Sequence, residues 1–269
     1  MIHAPPQKSL CYFQRMKLAS GMAYESMGSG PPLVLLHAFP FDGRMWRQTA
    51  AALASARTVI VPDMRGVGQS DLPPGGFSIA DLADDVAALL TALGFEKAGV
   101  GGLSMGGYVA LAFAQRHRAR LGELLLCDTK AAPDSPEARQ AREDAIALVQ
   151  KDGVASLRDK QIPRLLGPTA NEALRAEVRG LATDRTEGVI AAIRALRDRP
   201  DRRTEFSQIA CPTLVVVGSE DVLSTPAEMR EMASQIPGAR FAEIPNAGHL
   251  ANVENPAAFS AAVLDFLRR

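Results

Sequence analysis

A chain of 269 residues is long enough for one large domain or two small ones, and 47% hydrophobic with 22% charged residues is ordinary for a globular enzyme. Thirty basic residues balance 30 acidic ones, so no global field draws the chain to nucleic acid or to an anionic membrane. No apolar run approaches the roughly 18–20 residues of a membrane span. The 3 cysteines, Cys11, Cys127 and Cys211, are odd in number, widely spaced and without metal-ligand spacing. They suit a reducing compartment better than a disulfide framework, so the expected location is cytoplasmic.

Residues 1–14 carry Pro5, Pro6 and Gln7 where a secretory leader would need an apolar core, and are expected to form a weakly specified extension. Weak alternation over 15–27, around Ser20-Gly21, predicts an opening β-hairpin. Residues 33–36 are apolar without alternation, the pattern of a strand buried on both faces. Helical spacing of Met45, Trp46, Thr49, Ala50 and Leu53 predicts an amphipathic helix over 44–54. A second buried strand follows at 58–61, then a loop rich in glycine and proline. Ser78 caps a helix over 79–93 that stops at Gly94. After the strand at 98–103 and the helix to about 116 comes another buried strand, 121–127.

From 131 to 200 the strand-like runs vanish. Charged helical patterns occupy 136–150, 154–166, 171–182 and 186–197, without a shared period. The alternation of strand and helix then resumes with a strand at 213–217, a helix at 227–235, a strand at 240–244 and a closing helix at 256–267. The expected units are therefore a core in two parts, 15–130 and 201–269, with a helical cap over 131–200. Strand alternating with helix implies a mostly parallel sheet covered on both faces, and in such sheets the chemistry collects beyond the carboxyl ends of the strands.

Those ends hold the reactive residues. Gly102-Leu103-Ser104-Met105-Gly106 lies between a strand and a helix, the setting in which a sharp turn exposes a serine oxygen above the sheet. A serine needs a base to take its proton as it attacks. Only 4 histidines exist. His3 lies in the loose N-terminus. His117 ends a helix in a basic run and reads as a solvated charge. His37 directly follows a strand. His249 lies in a loop between the last strand and the last helix, where its side chain can hang back over the sheet. Asp221 follows the strand at 213–217, where a carboxylate can orient an imidazole; Asp128, at the end of another strand, and Glu220 are competing acids. Trp46 is expected in the core, and Asp63 and Arg65 are expected to fix the glycine-rich loop.

Five segments in this order resemble the α/β-hydrolase fold family over roughly residues 16–269. They are His37-Ala38-Phe39-Pro40, Pro62–Ser70, Gly102–Gly106, Gly218-Ser219-Glu220-Asp221 and Asn246-Ala247-Gly248-His249. The resemblance implies a mostly parallel eight-stranded sheet with the helical cap inserted after the sixth strand. It implies a catalytic Ser104, His249 and Asp221, and an oxyanion hole from the N–H groups of Phe39 and Met105. Ala38 stands where relatives usually have glycine. His37 would then buttress the oxyanion loop. The segments look most like small carboxylesterases and lactonases, including enol-lactonase-like and acyl-homoserine-lactone-cleaving members.

The expected activity is hydrolysis of a small ester or lactone through an acyl-enzyme, with no cofactor and no metal. Alternatives with the same residues are hydrolysis of a C–C bond in a β-diketone, or a receptor-like protein that binds a ligand and turns over slowly; a perhydrolase side activity is compatible with the same oxyanion loop. A small molecule is the expected partner, and no oligomeric state is legible. Neutral net charge and an apolar cap favour an uncharged or mildly amphiphilic acyl substrate.

Overall fold

Residues 14–18 and 20–268 are described by a computed structural model. The expected N-terminal extension, with His3 and Cys11, lies outside them except at its last residue, Gln14. Strands β1 (Gln14–Lys17) and β2 (Ala23–Gly28) form the predicted antiparallel hairpin. They flank β3 (Pro32–Leu36), β4 (Thr58–Pro62), β5 (Ala98–Leu103), β6 (Leu121–Cys127), β7 (Thr213–Gly218) and β8 (Arg240–Ile244). All lie in one 8-stranded sheet of order β1-β2-β4-β3-β5-β6-β7-β8. From β4 to β8 every pairing is parallel.

The apolar runs without alternation are explained by a sheet with two buried faces. Val34, Leu36, Ile60, Val215 and Val217 point into one core, where they meet α2 (Ile79–Ala92), α3 (Met105–Arg116) and α8 (Pro226–Gln235). Their neighbours Leu33, Leu35, Val59, Val61, Leu214 and Val216 point into the other, against α1 (Arg47–Leu53) and α10 (Pro256–Leu267). Ser78 caps α2 through a reciprocal pair with Asp81, and Gly94, at φ 75°, follows its end.

Between β6 and β7 the chain makes four helices: α4 (Pro136–Asp152), α5 (Val154–Leu165), α6 (Glu172–Leu181) and α7 (Thr186–Arg197). Their apolar stripes join both cores, with Ile146, Val149, Leu157 and Ile193 on one side and Ile162, Leu165 and Val178 on the other.

Three local expectations are corrected. The helix over 44–54 is two elements, because Asp42 accepts from Arg44 N–H and tightens Gly43–Trp46 into a 3-10 turn before α1 begins. A short helix, α9 (Ala251–Glu254), precedes α10 and was not expected. His117 is not a freely solvated charge: its Nε2 lies 2.8 Å from Asp84 on α2. Trp46 is in the core as expected, fully buried with its ring centroid 5.8 Å from that of Phe259. Replacing Trp46 by Ala is expected to cost about 3–5 kcal/mol of stability. Urea denaturation followed by circular dichroism measures this, since the variant lacks the chain's 1 tryptophan.

Candidate active site

The geometry starts with two glycines. A Cβ on Gly102 would lie 2.1 Å from the carbonyl of Gly106, and one on Gly106 would lie 2.1 Å from the carbonyl oxygen of Leu36. Only bare backbone lets α3 start this close to β5 and β3. Between the two, Ser104 is held at φ 54°, ψ −112°, a conformation that L-residues avoid. Its backbone is bound on every side. The Ser104 N–H donates to Cys127 O at 3.0 Å, and its carbonyl accepts from Gly107 N–H at 3.0 Å and from Thr129 Oγ1 at 2.7 Å. Asp128 and Asn246, at φ 43° and 55°, are the other non-glycine residues described with positive φ, and both also follow strands of the sheet.

His249 enters from the loop after β8 and is buried. Its Nδ1 lies 2.8 Å from Asp221 Oδ2. A carboxylate can only accept, so Nδ1 carries the proton and Nε2 is left as the acceptor. The other oxygen of Asp221 accepts from the N–H groups of Leu223 at 2.7 Å and Ser224 at 3.1 Å, which fixes the carboxylate. Neither competing acid bonds the imidazole. Asp128 accepts instead from Gly218 N–H at 2.7 Å, on the neighbouring strand.

Burial holds the Asp128 carboxyl far above the usual range, and the charge of Asp221 raises it further. With its native-state value raised, Asp128 keeps a proton that the unfolded chain has already lost, so its contribution to stability falls as pH rises above about 4. The Asp128→Asn variant is expected to fold, and its melting temperature should gain on wild type as pH rises above about 4. Thermal melts across that range test this.

His37 plays a different part. Met64 N–H donates to its Nε2 at 2.9 Å, so the proton is on Nδ1, which donates to Ala38 O at 3.0 Å. Both nitrogens are spent on backbone, and full burial pushes its pKa down. Ala38 N–H in turn points at the Met45 sulfur, 3.2 Å away. Asp63 accepts from Gly43 and Gln69 N–H, each at 2.9 Å, and so ties down the glycine-rich loop. Arg65, itself in that loop, pairs with Asp85 and so ties the loop to α2.

Phe39, Ser104, Met105 and His249 line one cavity of about 880 Å³ that extends beneath α4, α5 and α7. Met105 is the first residue of α3, so its N–H has no acceptor within the helix. The charged side chains on the wall number 6 basic to 3 acidic, a local excess that whole-chain neutrality conceals.

One carboxylate that the sequence reading passed over joins the helical insertion to the histidine loop. Glu254 accepts from Gly248 and Leu250, the two neighbours of His249, at 2.9 and 3.3 Å, and from Gly167 beyond α5 at 2.7 Å. His249 N–H itself donates to Leu165 O at 3.0 Å. Burial, with Glu220 nearby, pushes the Glu254 carboxyl up while the three N–H donors pull it back. Replacing Glu254 by Ala strands these donors and is expected to lower stability by about 1–3 kcal/mol. The readout is the midpoint of urea denaturation.

A sequence profile described as the alpha/beta hydrolase family matches residues 33–262. The chain belongs to the alpha/beta hydrolase family. Within it, the chain is 31% identical over 232 residues to 3-oxoadipate enol-lactonase 1 of Acinetobacter baylyi, covering 86% of each sequence. An esterase of Thermogutta terrifontis, solved with malate bound, superimposes with a TM-score of 0.91 at 40% identity, over 95% of this chain and 98% of that one. The enol-lactonase of Burkholderia xenovorans superimposes with a TM-score of 0.84 at 34% identity, over 92% and 96% of the two chains. Among the described residues of this alpha/beta hydrolase, no helix is long and apolar enough to cross a membrane.

Proposed function

We propose that this protein hydrolyses a small carboxylic ester or lactone, with Ser104 as nucleophile, His249 as general base and Asp221 as the acid that orients it. The observation that carries the reading is the His249–Asp221 contact of 2.8 Å, made by an imidazole that shares one cavity wall with Ser104. Similarity to esterases and enol-lactonases supports the same reaction class.

The Ser104 oxygen bonds to the carbonyl carbon as its proton passes to His249 Nε2. Asp221 stabilises the imidazolium by accepting from Nδ1. The carbonyl oxygen gains negative charge, and the N–H groups of Phe39 and Met105 receive it; donors of this kind are worth about 3–4 kcal/mol each. His249 then returns the proton to the leaving alkoxide as the C–O bond breaks. Water, deprotonated by His249, attacks the acyl-enzyme and regenerates Ser104. In a lactone the alkoxide stays tethered to the acyl group, and the same steps open the ring. Helices α4 to α7 act as the cap that shapes the acyl pocket.

The test is steady-state hydrolysis of a short p-nitrophenyl ester and of a small lactone. Ser104→Ala and Asp221→Asn are each expected to lower kcat by about ten-thousand-fold. Full activity in Ser104→Ala would overturn the reading. Labelling by a fluorophosphonate, located by mass spectrometry of the modified peptide, should fall on Ser104 and vanish in the alanine variant.

A further inference from the structure

The charge on the cavity wall is arranged, and the arrangement centres on Asp134. This carboxylate is nearly buried and takes two guanidinium groups, Arg199 Nη1 at 2.6 Å and Arg142 Nε at 3.0 Å. Arg199 is equally buried and its other contacts are fixed. It donates to Leu196 O at 2.8 Å and to Ala132 O at 3.2 Å, and it stacks over the Tyr108 ring at 4.5 Å. Arg142 is held only through Nε. Among the described residues its Nη groups have no recorded partner, and the side chain is 25% exposed on the cavity wall.

Two guanidinium groups against one carboxylate leave a single positive charge. It shares the cavity wall with Ser104, with the apolar side chains Phe39, Leu157, Leu165, Ile193 and Leu196, and with the acids Asp144 and Asp152. A planar fork anchored at Nε presents its free N–H groups in the geometry that matches a carboxylate. Around the cavity, Lys151, Lys160 and Arg164 are exposed, and among the described residues none has a recorded ion pair. Such cations raise the local concentration of an anionic ligand.

We propose that the substrate is an ester or lactone whose acyl part carries a carboxylate, and that Arg142 binds that carboxylate. The proposal rests on the hydrolase reading above and deepens it. The apolar side chains of the wall receive the hydrocarbon between the two functional groups. A charge of one favours a monoanionic group over a phosphate dianion, and the expectation of an uncharged substrate, drawn from whole-chain neutrality, gives way to this local excess.

The experiment compares monoethyl esters of succinic, glutaric and adipic acids with ethyl esters of the same chains ending in methyl instead of carboxylate. The reading is the ratio of kcat/KM within each pair, from which the amount of folded enzyme cancels. In wild type, at low ionic strength, at least one half-ester should exceed its neutral partner by about tenfold or more. That ratio should fall with added salt and approach one in Arg142→Gln. A ratio near or below one in wild type, or a high ratio that persists in Arg142→Gln, overturns the proposal and leaves the esterase reading standing. If no ester is cleaved, the esterase reading fails on its own, and calorimetric titration decides the anion site. Glutarate binding that weakens about tenfold or more in Arg142→Gln supports the site. Absent binding, binding indifferent to the substitution, or tighter binding of inorganic phosphate overturns it.

Discussion

The approach of α3 to the ends of β3 and β5 is the constraint on which the site depends. Backbone meets backbone there at distances that leave no room for a Cβ at Gly102 or Gly106, so the turn between them must be abrupt. That abruptness holds Ser104 in left-handed backbone space. Hydrogen bonds to its backbone keep it there, from β6, from the residues after β6, and from α3 itself. Strain at one residue is sustained because the surrounding sheet and helix over-determine it. A buried parallel sheet serves this purpose well. Both of its faces are packed, so its strand ends do not drift relative to one another.

Around that fixed point, two aspartates at neighbouring strand ends have opposite electrostatic settings. Asp221 is surrounded by N–H donors and the imidazole; Asp128 is enclosed, receives one backbone donor, and faces the charge of Asp221. Like charges this close and this dry do not both ionise, so the solvation of each determines which one carries the charge. The proton inventory of the site follows from burial more than from residue type.

Much of this is legible in the sequence, for physical reasons. Short apolar runs with no alternation, bounded by turn residues, fit strands with two buried faces, and the core strands follow from them. Gly102 and Gly106 around a serine, between strand and helix patterns, announce the turn because sterics allow nothing else there. Spacing alone does not choose among Asp128, Glu220 and Asp221, which all follow strands; the hydrogen bond to His249 distinguishes Asp221. Arg142 and Glu254 were invisible for a different reason. Arg142 sits in a polar stretch of helix that reads as a solvated face, and Glu254 in a short helix that the pattern does not show; the meaning of each depends on a residue far away in sequence, Arg199 across Asp134 in one case and Gly167 in the other. Local patterning reports which face of an element is buried. It does not report what a charged residue meets across a cavity.

The carboxylate of Glu254 gives the insertion an attachment at the histidine loop. Covalently, α4 to α7 join the sheet at two places, after β6 and before β7. Through Glu254 and the Leu165 carbonyl, the segment just past α5 is also stitched to the residues either side of His249. Exchanging the insertion for that of a relative therefore transplants part of the histidine's own scaffolding. A chimera with seamless junctions at both chain crossovers would still have a seam in the middle, and that seam runs beside the imidazole.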